Sequence, residues 1–302
     1  MNSGIYPSLC SAEVLKVIGY FDYFKYPLSR MQIFLFLGSR IENIKSLDEL
    51  LEKLVEEDKI EQKDDFFSIK NIEQFVSNRL EGELRFRQLQ DRVEKSTKRL
   101  SYFPFVKFVG LSGSMSKGFA SDNADIDLFI VTKKNRLWIC RTILHLFKKI
   151  SFLKGSQHWY CMNYFVDETA MQIEEQNYFT AIELITLKPL VDAENYHQLL
   201  IEKNIKWINS VLPNYHFKHT ITKQKLNQTF LSRLIEQFST DKLDDWLMKW
   251  TDKKWRKKWA RKNYPHEDYE LAFKTRKNIS KNHLHNYQKK LLEHLDKIKK
   301  IV

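Results

Sequence analysis

Residues 105–132 constrain the fold more than any other stretch of this 302-residue chain. They read FVKFVGLSGSMSKGFASDNADIDLFIVT, two apolar runs of strand character separated by a turn of small residues, a short helix and a polar loop containing Ser121, Asp122 and Asn123. In the second run the period of two of a β-strand sets Asp125 and Asp127 on one face and Ile126 and Leu128 on the other, toward a core. Two carboxylates on one rigid strand suit Mg²⁺, a hard cation that prefers oxygen ligands and keeps phosphates and water in its shell. Gly113 permits close backbone approach, and Ser114 with the N–H groups of the turn offers donors to an anionic phosphate chain. Lys117 either adds positive charge there or is a solvated surface lysine.

The order Gly113-Ser114, ten residues, then Asp125-Ile126-Asp127-Leu128, with an apolar strand on each side, resembles the signature of the polymerase beta nucleotidyltransferase superfamily. The resemblance spans roughly residues 80–190. It implies an α+β catalytic domain, a small mixed sheet with helices, that moves a nucleoside monophosphate from a Mg²⁺-bound nucleoside triphosphate to an acceptor hydroxyl and releases pyrophosphate. Gly113, Ser114 and Lys117 would then hold the nucleotide, and Asp125 and Asp127 the metal. Small molecules, proteins and RNA all serve as acceptors in this superfamily, so the acceptor stays open.

Active members of that superfamily carry a third carboxylate on a neighbouring strand. The candidate strand here is His158 to Asp167, and strict alternation would place Cys161, Asn163, Phe165 and Asp167 on one face. Asn163 holds the central position, and an amide cannot act as a base near neutral pH. Either Asp167 completes the site, or two carboxylates suffice, or the chain is a degenerate member that binds nucleotide or RNA without turnover. Glu174 and Glu175 are weaker candidates whose plain reading is a polar loop.

The remaining chain divides by pattern, since 8 Gly and 6 Pro make no linker. Residues 1–71 read as three helices and a hairpin. The first spans 11–26 with Ser11 as N-cap and Pro27 as its stop, the second 31–37, and the third starts at Leu47 with a Ser46/Glu49 capping box. Strand, turn and strand then follow over 59–69. This order resembles a winged-helix domain, but the third helix carries Asp48, Glu49, Glu52, Glu56, Glu57 and Asp58 against Lys53, so it would repel duplex DNA. Residues 72–197 form the catalytic domain, led by a bridging helix over 72–101 whose apolar positions are Phe75, Leu80, Leu84, Phe86 and Leu89.

Residues 198–302 form a mostly helical C-terminal domain that holds the charge excess. They carry 24 Lys/Arg against 11 Asp/Glu, whereas residues 1–80 carry 10 against 13 and residues 81–197 carry 16 against 14. Trp246, Trp250, Trp255 and Trp259 fall along one broad helical face among lysines and arginines, which reads either as packed core or as a stacking surface for bases. Lys274, Arg276 and Lys277 are candidates to reach a triphosphate. Cys10, Cys140 and Cys161 lie far apart with no metal-ligand spacing, as in a cytoplasmic protein, and neither a leader nor a membrane span is expected.

Overall fold

The computed structural model describes residues 10–41, 43–122, 124–152, 160–217, 226–227, 229–283 and 287–298. Of the residues singled out above, Asn123, His158 and Trp159 lie outside them.

The N-terminal segment runs α1 (Ser11–Asp22), β1 (Leu28–Ser29), α2 (Arg30–Phe36), α3 (Ile44–Glu56), β2 (Glu61–Lys63) and β3 (Phe66–Ser68). β3 pairs antiparallel with both β1 and β2, and the apolar faces of the helices close over this small sheet. Three local expectations need correction. Helix α1 stops at Asp22 rather than at Pro27, because Lys25 adopts a left-handed φ of 54° and the Tyr26 N–H reaches back to the Phe21 carbonyl at 3.1 Å. Ser11 is its first helical residue, preceded by Cys10 at the cap. Helix α3 begins at Ile44 under Asn43, whose Oδ1 accepts from the Lys45 N–H, so Ser46 lies inside the helix. The capping box sits instead on α2, between Ser29 and Gln32.

Helix α4 (Ile72–Leu100) touches both this small sheet and the large one. It does so through small and polar positions as much as apolar ones, with Leu80 and Leu84 on its exposed side. Arg79 is buried between the rings of Tyr26 and Phe66, donates to the Pro27 carbonyl and to Gln32, and pairs with Glu83 at 2.9 Å. A turn later Gly82 leaves room for Phe119, whose ring stands 2.2 Å from where a Cβ would be, and its carbonyl accepts from the Ala120 N–H. Arg85 then binds the Ala120 carbonyl and the Asp122 carboxylate. Helix α4 thereby fixes residues 119–122, the loop leading to Asp125.

The large sheet follows: β4 (Val106–Leu111), α5 (Gly113–Ser116), β5 (Asp127–Thr132), α6 (Leu137–Phe152), β6 (Cys161–Asp167), α7 (Tyr178–Ile185), β7 (Lys188–Asp192) and α8 (Tyr196–Val211). The chain then continues through α9 (Phe230–Phe238), α10 (Asp241–Ala260), α11 (His266–Ala272), β8 (Phe273–Arg276), β9 (Ile279–Asn282) and α12 (Tyr287–Ile298). The strand order is β7-β4-β5-β6-β9-β8, with β5 and β6 parallel through the α6 crossover and the other neighbours antiparallel. This is a mixed α+β architecture. Leu128, Ile130, Met162 and Phe165 face one core and Phe129, Val131 and Val166 the other.

One further expectation changes in the C-terminal region, which is mostly helical and whose β8–β9 hairpin also adds to β6 and so joins the same sheet as β5. The four tryptophans do not share a face. A five-residue step turns a helix by about 140°, so Trp255 and Trp259 pack on Phe273 while Trp246 and Trp250 face outward.

Asp22, at the end of α1, accepts from the Ile69 N–H at 2.6 Å, and burial raises its carboxyl to about 7 against the pull of the Ile69 and Lys70 amides. A raised acid stabilises the fold below its folded pKa and loses that contribution as pH rises through it. Relative to Asp22→Asn, the wild-type protein should therefore lose about 2–3 kcal/mol between pH 5 and pH 8, measured by urea denaturation. Parallel pH profiles for the two proteins would contradict this.

Candidate active site

The site begins where β4 hands the chain to β5. The Ser112 N–H donates to the Asp127 carbonyl at 2.9 Å, tying the turn to the first residue of β5. Gly113 then takes a left-handed φ of 67°, and a Cβ on it would lie 2.5 Å from Asp127 Oδ2 and 3.2 Å from Asp127 Cβ. Only glycine meets both the conformation and the approach. Met115 anchors α5 in the core, leaving Ser114 exposed at the tip.

Ile126 and Leu128 are buried, and Asp127 emerges on the opposite face, as strand alternation requires. Asp125 lies just before the regular strand and is exposed. Asp127 Oδ1 accepts from Asn163 Nδ2 at 3.3 Å and the carboxylate also accepts from the Cys161 thiol. Burial pushes the Asp127 carboxyl up to about 6; the thiol opposes this, the negative charges of Glu183 and Asp125 add to it, and Lys117 opposes it. Burial, with the charge of Asp127, raises the Cys161 thiol to about 12, so it stays a neutral donor to Asp127.

Lys117 is not a solvated lysine. Its Nζ donates to Glu183 Oε1 at 2.7 Å and to the Gly113 carbonyl at 3.1 Å, while the Gly113 N–H donates to Glu183 Oε2 at 3.4 Å. Sequence reasoning missed both Glu183 and Cys161. Glu183 did leave a signal, being the single charged residue of the apolar helix α7.

Asp167 is not brought to this cluster. The β5/β6 register pairs Asp127 with Cys161 and Leu128 with Met162, then skips one residue to pair Phe129 with Tyr164. The extra residue, Asn163, is a bulge, and it reverses the alternation beyond it. Asp167 is the last residue of β6, six beyond Cys161, and sits opposite Thr132 at the far end of the strand, fully buried, where it accepts from the Asn135 N–H and from the Thr169 N–H and hydroxyl. Asn163 remains beside Asp127. Glu174 and Glu175 are held by Lys274, which pairs with them at 2.9 and 2.7 Å. Arg276 also binds Glu174, and Lys281 binds Glu175. Lys277 pairs with Asp245 at 3.4 Å, so the three late cations proposed to reach a triphosphate are each engaged by a carboxylate.

Among the described residues no group of three or more His, Cys, Asp or Glu side chains is placed to hold a metal ion. Asp125 and Asp127 do fit one or two sides of an open Mg²⁺ site. They are hard oxygen donors, and the negative charges of Glu183 and Asp125 that add to the effect of burial on Asp127 are what a divalent cation would relieve.

Two glycines of the turn separate conformation from crowding. Gly118 also has a left-handed φ, 81°, but open space around its Cβ position. Gly118→Ala should cost about 1–2 kcal/mol of stability, and Gly113→Ala at least a further 1 kcal/mol or so from displacing Asp127, by urea denaturation. Equal costs would contradict the close approach.

The nucleotidyltransferase domain family matches residues 91–237, a segment that opens within α4 and holds β4 through β7, with every residue of this cluster. No curated protein and no solved structure matches the chain significantly. Sheet, turn and family agree, and residues 91–237 are a nucleotidyltransferase domain of the polymerase beta-like kind.

Proposed function

We propose that the chain transfers a nucleoside monophosphate from a nucleoside triphosphate to an acceptor hydroxyl in a Mg²⁺-dependent reaction. A bond forms between the acceptor oxygen and the α-phosphorus, the bond to the β-phosphate oxygen breaks, and pyrophosphate leaves. The observation that carries the reading is the approach of Asp127 to the Gly113 backbone within the family-matched segment, which sets a carboxylate against the phosphate-binding turn.

Asp125 and Asp127 are the residues that would hold the metal. Bound there, Mg²⁺ would neutralise phosphate charge and stabilise the attacking and leaving oxygens. The chain's own groups do the positioning. Cys161 and Asn163 orient Asp127 by donating to it, and the Ser114 hydroxyl stands exposed at the turn for a phosphate oxygen. Glu183 holds Lys117 and the Gly113 N–H, so an arriving triphosphate competes with Glu183 for these two donors. No third carboxylate is assigned; Asp167 serves the far turn.

We keep residues 1–71 as a winged-helix-like unit and residues 198–302 as a basic region that lends a hairpin to the catalytic sheet. The exposed acidic surface of α3 disfavours duplex DNA. Three free cysteines suit the cytoplasm, and among the described residues no helix is long and apolar enough to cross a membrane. The second reading, a nucleotide- or RNA-binding module without turnover, is favoured by one observation, the amide of Asn163 where an acid is expected.

Incubation with α-labelled ATP, CTP, GTP or UTP, Mg²⁺ and cell extract should give labelled product. Asp125→Ala and Asp127→Ala should reduce it by at least a hundredfold, and Asp167→Asn should leave labelling per folded molecule within about threefold. Product that persists in the first two variants would remove the site assignment. Calorimetric binding of Mg²⁺-nucleotide without any transfer would select the second reading.

A further inference from the structure

Helix α10 carries a surface that the catalytic site does not use. Trp246 and Trp250, four residues apart on one face, are 59% and 48% exposed. Their rings are nearly parallel, at 12° with centroids 6.4 Å apart, and the Lys254 ammonium lies 4.9 Å from the Trp250 ring centre. At 100° per residue, positions 246, 250, 253 and 257 fall within about 60° of one another, so Lys253 and Lys257 continue the tryptophan stripe along the helix axis. Both lysines are exposed and neither has a carboxylate within ion-pair distance among the described residues. Asp244, Thr251 and Trp259 lie on the opposite, buried face.

The direction of this stripe matters. At its start Asp241 binds Arg136 and Asn135, at the end of the sheet where β5 stops. Toward its finish Trp255 and Trp259 pack on Phe273, which pairs with Asn282 at the other end of β8–β9. Since β9 runs antiparallel to β6 and Lys281 lies opposite Tyr164, that end of the sheet is the one where Cys161 and Asp127 stand. Two stacked aromatic faces therefore lead into a row of cations that runs toward the end of the sheet where Asp127 stands, on the α6 side and opposite the face that bears the Asp127 carboxylate.

The geometry points to a binding track for single-stranded nucleic acid on α10, with bases stacked on Trp246 and Trp250 and phosphates following Lys253 and Lys257. Aromatic faces take any base, and interleaved cations follow the backbone. From Trp246 to Lys257 the helix rises about 16 Å, the length of roughly three extended nucleotides. A helix lying in a lipid interface separates charge from apolar groups across its axis. Here the cations share the stripe with the tryptophans and follow them along the axis, which fits a linear polyanion better than a bilayer. A strand held in this way that passes round this end of the sheet can offer its terminus as a polymeric acceptor for the proposed transfer, and to that extent the inference rests on that reading; the binding itself does not.

Tryptophan fluorescence and anisotropy of labelled eight-nucleotide RNA and DNA strands test it on the full chain at 50 mM salt, with folding of each variant checked by circular dichroism. The expected result is binding to single strands, at least tenfold weaker to duplex of the same length. Trp246→Ala/Trp250→Ala should weaken it at least tenfold, and Lys253→Gln/Lys257→Gln should flatten the slope of log K against log salt by about 1.4. Asp127→Ala should bind the strand as wild type does, and a wild-type chain that binds the strand but transfers nothing would count against the catalytic reading alone. Absence of single-strand binding, or binding unaffected by the tryptophan variants, overturns the inference. So does preferential, tryptophan-dependent binding to vesicles of anionic lipid, and comparison of RNA with DNA shows whether the 2′-hydroxyl contributes.

Discussion

At Gly113 the backbone passes so near Asp127 that no side chain fits between them, and this approach organises the region around it. It requires the left-handed turn after β4, the Ser112 bond to the start of β5, and the burial of Met115 beneath α5. It also concentrates negative charge, because Asp127, Asp125 and Glu183 then act on one small volume. The fold answers part of that charge with Lys117 and with neutral donors from Cys161 and Asn163. What remains suits a divalent cation bearing phosphates.

The scaffold holds this turn from two sides. From the front, α4 locks residues 119–122 through Gly82 and Arg85, while its buried Arg79 fastens the N-terminal segment to the same helix. Arg79 illustrates how an ion can sit inside at acceptable cost: two aromatic rings, a carboxylate, an amide and a carbonyl share it. Behind β6, the β8–β9 hairpin brings Lys274 and Lys281 inward against Glu174 and Glu175, so the basic C-terminal region enters the catalytic sheet through paired charges.

Much of the core of the site was legible in residues close together in sequence. The alternation of Ile126, Asp127 and Leu128 and the glycine before Ser114 are local patterns, and the structure obeys them. Across strands the reading failed for identifiable reasons. Asp167 lies six residues along β6 from Cys161, too far for the site, and one inserted residue at Asn163 reverses the face of everything after it, which made a plain count by twos misleading. The β8–β9 hairpin was hidden because its inward positions include lysines, whose partners come from about a hundred residues away. Glu183 reaches Gly113 and Lys117 only through tertiary folding, and no spacing rule connects them. The tryptophan stripe divided because a five-residue step crosses the helix, leaving one pair as core and one as surface.

In the proposed function the turn at Gly113 and the carboxylates of Asp125 and Asp127 form one nucleotide-metal site. Crystals grown with Mn²⁺ and a non-hydrolysable nucleoside triphosphate test it directly, since manganese is located by its anomalous scattering. Manganese is expected on Asp125 and Asp127, triphosphate oxygens at the Gly113-Ser114 turn, and Lys117 released from Glu183. Manganese elsewhere, or nucleotide bound away from this turn, would contradict it.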